Sequence, residues 1–178
     1  MEHFLDFCLP IFVGVLSSYI LLLLLFTFMK PSFRISDKMS YIDSSRFVAE
    51  FKNSYLIKVT NVSWYMAYNI NVKLEKIESY GVKNGKNNRL LPLSMLSNQV
   101  TYIKNCSFMN PSNGENAYLF RTKEDINAIL ENNDKIRFTL TAKHGFSGLT
   151  KIFIKDYEVL SDIETGHFKF GKSFDIIK

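Results

Sequence analysis

From Phe7 to Met29 the chain carries no charged side chain, and the heart of this run, Ile20 to Phe28, is almost entirely Leu, Ile and Phe. At 1.5 Å rise per residue it makes a helix of roughly 34 Å, enough to cross the ~30 Å hydrocarbon core of a bilayer. Everything after Lys30 is polar enough to be soluble. The pattern predicts an N-terminal tail and transmembrane anchor over residues 1–30, a juxtamembrane segment with a first strand over 31–45, and one folded domain over 46–178. It says where the protein lives far better than what it does there.

A secretory signal would open with positive charge, carry an apolar stretch of about 7–15 residues and end in a small-residue cleavage site. Here Glu2 and Asp6 lead, and the run ends Thr27, Phe28, Met29, Lys30 without such a site. A retained anchor is therefore expected. Pro10 falls near its start, where a missing N–H costs little, and Pro31 should end it. Gly14 and Ser18 are candidate helix-packing residues, since small side chains at this spacing let two membrane helices approach closely. A notch that faces lipid is the plainer reading of the same pair.

Lys30, Arg34 and Lys38 follow the run, whereas the tail before it is acidic. Lys/Arg excess marks the cytoplasmic side, so a single-pass protein of the cell membrane with a cytoplasmic C-terminal domain is expected. Cys8 lies in the anchor and Cys106 in the domain, which leaves no disulfide framework within the domain. Asn61-Val-Ser and Asn105-Cys-Ser match the glycosylation sequon, but a cytoplasmic domain would not meet the machinery.

The remaining residues suit one compact domain with its own core. The chain's net charge of +5 is modest, and Lys83, Lys86 and Arg89 sit in a turn-rich stretch rather than a stripe, so nucleic acid is not an expected partner. The bilayer is. The domain reads as β. Phe33 and Ile35 suggest a short strand, and Arg46 to Phe51 alternates. Tyr55 to Thr60 is aromatic and β-branched, and Asn61 to Ser63 supplies a turn. Ala67 to Ile77 alternates, with Ile70, Val72, Leu74 and Ile77 largely on one face. Ser79 to Asn88 reads as a loop. Leu90–Leu96, Val100–Ile103 and Ala117–Arg121 are weaker strand candidates.

One helix interrupts the strands, with Thr122 as N-cap, Asp125 three residues on, and Ile126, Ile129 and Leu130 at helical spacing. Lys135–Lys143 is a strongly alternating strand, His144–Gly148 a turn and Leu149–Tyr157 its hairpin partner. Phe168, Phe170 and Phe174 read as core rings near the end. Many short strands and one short helix predict a mainly β fold, an immunoglobulin-like sandwich behind a single transmembrane helix, or a small barrel.

No constellation identifies a chemistry. His144, Gly145, Ser147 and Gly148 invite comparison with the G-x-S-x-G nucleophile elbow, but Leu149 stands where the second glycine belongs. The segment also joins two strands instead of a strand and a helix. A hairpin turn with both glycines at positive φ is the expected reading. His3, His144, His167 and the two cysteines have no metal-ligand spacing, and no cofactor is expected. Trp64 and Tyr65, just after the Asn61 turn, are a candidate contact patch. Capping one end of the sandwich is the alternative.

The order of Tyr55–Asn61, an irregular turn, Ala67–Leu74, Asn110-Pro111, the helix at Thr122–Ile126, the strand Ile136–Thr141 and the closing Gly171–Ile176 resembles the cytoplasmic immunoglobulin-like domain of inward-rectifier potassium channels over residues 46–178. The chain departs from that family in having one apolar helix, no pore helix and no T-V-G-Y-G-type filter, so it cannot itself select potassium. The resemblance implies a membrane-proximal β-sandwich that self-associates and senses a ligand. The expected function is that of a non-enzymatic binding or regulatory module, alone, as a homo-oligomer, or with a membrane-protein partner. The alternatives are a membrane-disrupting or channel-forming effector whose helices assemble when the domain oligomerises, and an enzyme whose site follows no motif.

Overall fold

The computed structural model describes residues 2–43, 51–82, 85–105 and 114–178. Most of the strand expected over Arg46–Phe51, together with Lys83, Cys106 and Asn110-Pro111, lies outside these residues. Helix α1 (Glu2–Phe28) leads into β1 (Phe33–Ile35), β2 (Met39–Ile42), β3 (Ser54–Asn61), β4 (Ala67–Val82), β5 (Gly85–Leu93), β6 (Gln99–Ile103) and β7 (Ala117–Thr122). Helix α2 (Ile126–Glu131) precedes β8 (Lys135–His144), β9 (Thr150–Tyr157), β10 (Ile163–Thr165), β11 (His167–Phe168) and β12 (Ile176–Ile177).

Helix α1 is long and apolar enough to cross a membrane. Its stretch Phe7–Phe28 has a mean hydropathy of 2.5 and packs against nothing in the domain. The helix starts at Glu2, so Pro10 lies inside it rather than in its first turn. The ring there withholds one backbone donor from the preceding turn.

Two five-stranded sheets and a two-stranded antiparallel ribbon of β11 and β12 make the domain. In the first, β3 carries β7 on one edge; β1 and β2 share the other, and β10 runs parallel to β2. In the second, β4 carries β8 and then β9 on one side, while β6 and β5 divide its other edge. The facing surfaces bury Met39, Ile57, Val59 and Phe120 from one sheet and Ile70, Val72, Phe138 and Leu140 from the other in a single core. Each such side chain contributes about 1.5–3 kcal/mol on full burial. Phe120 and Phe138 meet across the sheets with ring centroids 5.7 Å apart, and Phe33 meets Phe153 edge-on at 5.6 Å.

The expected alternation of β4 is broken by a bulge, and Ile77 does not share the face of Ile70, Val72 and Leu74. Ala67 and Ile70 are both buried although three apart, because the pairing with β8 shifts between Tyr68 and Asn71, where Asn69 takes φ 48°. A bulge of this kind resets the phase of the strand. From Asn71 to Ile77 the pairing is unbroken, so Ile77 faces away from Leu74 and lies outside the core cluster.

Three expectations change in the folded chain. Ser79–Asn88 is not a loop but most of a hairpin, with Ser79 paired to Asn88 and Val82 to Gly85. Polar composition hid it, because a ladder needs only backbone groups. Thr122 does not cap α2: it ends β7, and its hydroxyl donates to the Ser94 carbonyl at 2.6 Å. Asp125 is the cap, accepting from the Ala128 N–H at 3.2 Å. Of the three late phenylalanines Phe168 is buried, whereas Phe170 is 80 % exposed.

Candidate functional site at the helix exit

The chain passes from α1 into the first sheet within a few residues. Phe33 already pairs with Asn61, and the Val62 N–H donates to the Ser32 carbonyl at 2.9 Å. The turn between β3 and β4 therefore sits beside the end of the helix. Asn61 builds that turn. Its side-chain amide is buried and donates to the Tyr65 and Lys104 carbonyls, each at 3.0 Å, while its oxygen accepts from the Ser63 N–H at 3.0 Å and from the Ser63 hydroxyl. Asn116 closes the other side, donating to the Asn61 carbonyl at 3.0 Å. A residue so committed is no glycan acceptor in the folded domain, whatever its sequon.

The β8–β9 turn abuts the first. The Gly145 N–H donates to the Met66 carbonyl at 2.9 Å, and a Cβ at Gly145 would stand 2.5 Å from that oxygen. Gly145 is thus required by close backbone approach, not by a positive φ. Only Gly148, at φ 71°, follows the expectation for both. Tyr65 stacks on Phe146 with centroids 5.7 Å apart and meets His144 edge-on at 5.2 Å.

His144 and Ser147 are brought together, in a turn. Nδ1 of His144 is 3.2 Å from the Ser147 amide nitrogen and 3.1 Å from its Oγ. The Ser147 hydroxyl donates its one hydrogen to the carbonyl of Met29 at the end of α1, and its oxygen accepts from the Leu149 N–H at 3.3 Å. With the amide donating to Nδ1, the hydrogen-bond pattern assigns the imidazole proton to Nε2. Nε2 is buried and has no hydrogen-bond partner among the described residues. Burial holds the ring below its ordinary pKa, which favours the neutral form. A nucleophile–base pair needs the serine hydrogen aimed at the imidazole and a third group orienting the far nitrogen. This pair has neither.

Gly14 and Ser18 lie exposed on α1, and nothing stands within 4 Å of a Cβ built at Gly14. Trp64 is 69 % exposed at the tip of its turn, whereas Tyr65 is partly covered by His144 and Phe146. Both candidate patch residues are thus exposed, Tyr65 with one side against His144 and Phe146. Elsewhere an open cleft of about 420 Å³ is lined by Ser94, Leu96, Lys123 and Glu124, and the Glu124 carboxylate accepts from the Ser94 N–H at 3.2 Å. No three metal-ligating side chains converge among the described residues.

Sequence reading missed Lys58. It lies in β3, both faces of which are buried: Tyr55, Ile57 and Val59 face the core, and the Lys58 ammonium donates to the Lys169 and Ser173 carbonyls at 2.6 Å each. Desolvation lowers its pKa. Its signal in the sequence was only that it interrupts an apolar strand. No family model and no curated protein sequence matches this chain.

Proposed function

We propose that the protein is a single-pass membrane protein whose cytoplasmic domain, an immunoglobulin-like β-sandwich, serves as a non-enzymatic binding or regulatory module that self-associates or engages a membrane-protein partner. The observation that carries this reading is the direct coupling of anchor to domain. Ser147 bonds to the Met29 carbonyl and Val62 to the Ser32 carbonyl, so the domain is a head fixed at the helix exit rather than a body on a flexible tether. The pair of residues nearest to a catalytic arrangement, His144 and Ser147, is spent on holding that junction. The positive flank of Lys30, Arg34 and Lys38 supports the cytoplasmic orientation.

The test replaces residues 7–28 with an unrelated membrane span of equal length and compares cross-linked species in membranes with those of the native chain. A binding module keeps the same homo-oligomeric or partner adducts. If the adducts survive but an ion or dye leak seen with the native anchor disappears, the channel-forming reading replaces this one. Orientation is checked separately in a Cys8→Ser chain. Cys106 should resist a membrane-impermeant thiol reagent in intact cells and react after lysis in mild denaturant, and labelling in intact cells would reverse the topology.

A further inference from the structure

The geometry points to a second membrane contact: the Asn61–Met66 and His144–Leu149 turns form an aromatic platform seated in the headgroup layer of the same bilayer that α1 crosses. The inference rests on α1 being membrane-spanning. The Phe7–Phe28 stretch is 22 residues long, which is roughly 33 Å of helix and only slightly more than the ~30 Å hydrocarbon core. Its C-terminal end therefore lies close to the hydrocarbon boundary, and the polar layer beyond it is about 5–8 Å thick. Both turns stand beside that layer, because each is hydrogen-bonded to the chain within four residues of the helix end, one through Ser147 to Met29 and the other through Val62 to Ser32.

What these turns present is the chemistry of that layer. Trp64 is 69 % and Phe146 is 68 % exposed; Val62, Tyr65 and Met66 are also open to the surroundings. Rings with an apolar body and a polar edge concentrate where headgroups meet acyl chains. In water the same side chains would form an exposed apolar patch with nothing to cover it. The patch is rigid as well as apolar. Asn61 and Ser63 clamp the first turn from within, Tyr65 stacks on Phe146 between the turns, and Gly145 allows their backbones to touch. Lys30 and Lys143, both exposed at this end, suit the phosphate groups of the same layer.

Trp64 is the only tryptophan of the chain, so its fluorescence reports the platform without labelling. The full-length protein is reconstituted into phosphatidylcholine–phosphatidylglycerol vesicles, floated to verify insertion, and compared in vesicles whose lipids carry bromine near the ester end or near the tail end of the acyl chain. The expected result is blue-shifted emission, shielding from iodide, and stronger quenching by ester-end than by tail-end bromine. A Trp64→Phe, Phe146→Trp chain should give the same depth order from the second turn, and if that variant fails to fold the native chain still decides. Floated protein with red-shifted Trp64 emission that no brominated lipid quenches would overturn the platform while leaving the anchor intact. Emission shielded from iodide yet untouched by bromine would overturn it in favour of a protein contact. Protein that does not float would overturn the anchor and the platform together.

Discussion

The hydroxyl of Ser147 donates to the carbonyl of Met29, tying the β8–β9 turn to the residue that follows the apolar helix α1 across 118 residues of sequence. A serine that reads as a nucleophile beside His144 is thus an anchor point for the domain on its own helix. Its partners make the consequences of substitution specific.

Ser147→Ala removes two exposed hydrogen bonds, one to the Met29 carbonyl and one from the Leu149 N–H, and should cost about 1 kcal/mol. Gly145→Val should cost more, about 2–4 kcal/mol, because its Cβ meets the Met66 carbonyl. Gly148→Val falls between them, at about 1–3 kcal/mol, since φ 71° strains a β-branched residue. Thermal melts of the three variants in detergent check the ranking. A folded Ser147→Ala chain that has lost its biological activity would instead support the enzyme reading.

His144 makes stability depend on pH. Its folded-state pKa lies below the ordinary 6.5, so the unfolded chain binds the extra proton first as pH falls. The contribution of the neutral ring is complete above about pH 6.5, declines below it and is lost once pH passes the folded-state pKa. Protonation also removes the acceptor that holds the Ser147 amide. Melting temperature should fall between pH 7 and pH 5 in the native chain and change less in a His144→Gln variant; equal slopes would assign the effect to other groups.

Tyr157 is buried and donates to the Ser36 carbonyl at 2.8 Å, joining β9 to the segment between β1 and β2. Tyr157→Phe keeps the ring but orphans that carbonyl, for an expected loss of about 1–3 kcal/mol. Burial raises the phenol pKa well above its ordinary value of 10.0. In an alkaline absorbance titration this tyrosine should ionise only with unfolding, and a rapid, reversible ionisation in the folded state would contradict its burial.

Lys58 holds the C-terminal segment through Lys169 and Ser173. Lys58→Met leaves both carbonyls without the ammonium, with a cost of about 1–3 kcal/mol for each that stays buried. Limited proteolysis should then trim the chain after Gly166 while strands β3, β8 and β9 stay resistant. Unchanged digestion would mean that the β11–β12 ribbon is held by its other contacts.

The apolar helix was legible from composition alone, because a charge-free run of this length needs no knowledge of its neighbours. Strands β3, β4, β8 and β9 were legible from β-branched content and alternation, since a side chain that must face a core declares itself every second residue. The β4–β5 ribbon was not, because its ladder uses backbone groups that every residue owns, and Ser79–Asn88 looks like a loop from its side chains. Nor was the parallel pairing of β2 with β10, which joins Met39 to Ile163 by no local rule. Trp64 and Tyr65 could be singled out by residue type, but Phe146 could not, because it reaches Tyr65 only when two distant turns meet. Sequence by itself determined the long apolar helix, the β class and the position of the main strands, all of which follow from the local preference of side chains for apolar surroundings or water. Tertiary structure alone decided that Gly145 must be glycine, that Lys58 is buried, and that Ser147 reaches Met29, because each depends on which distant backbone the folded chain places beside it.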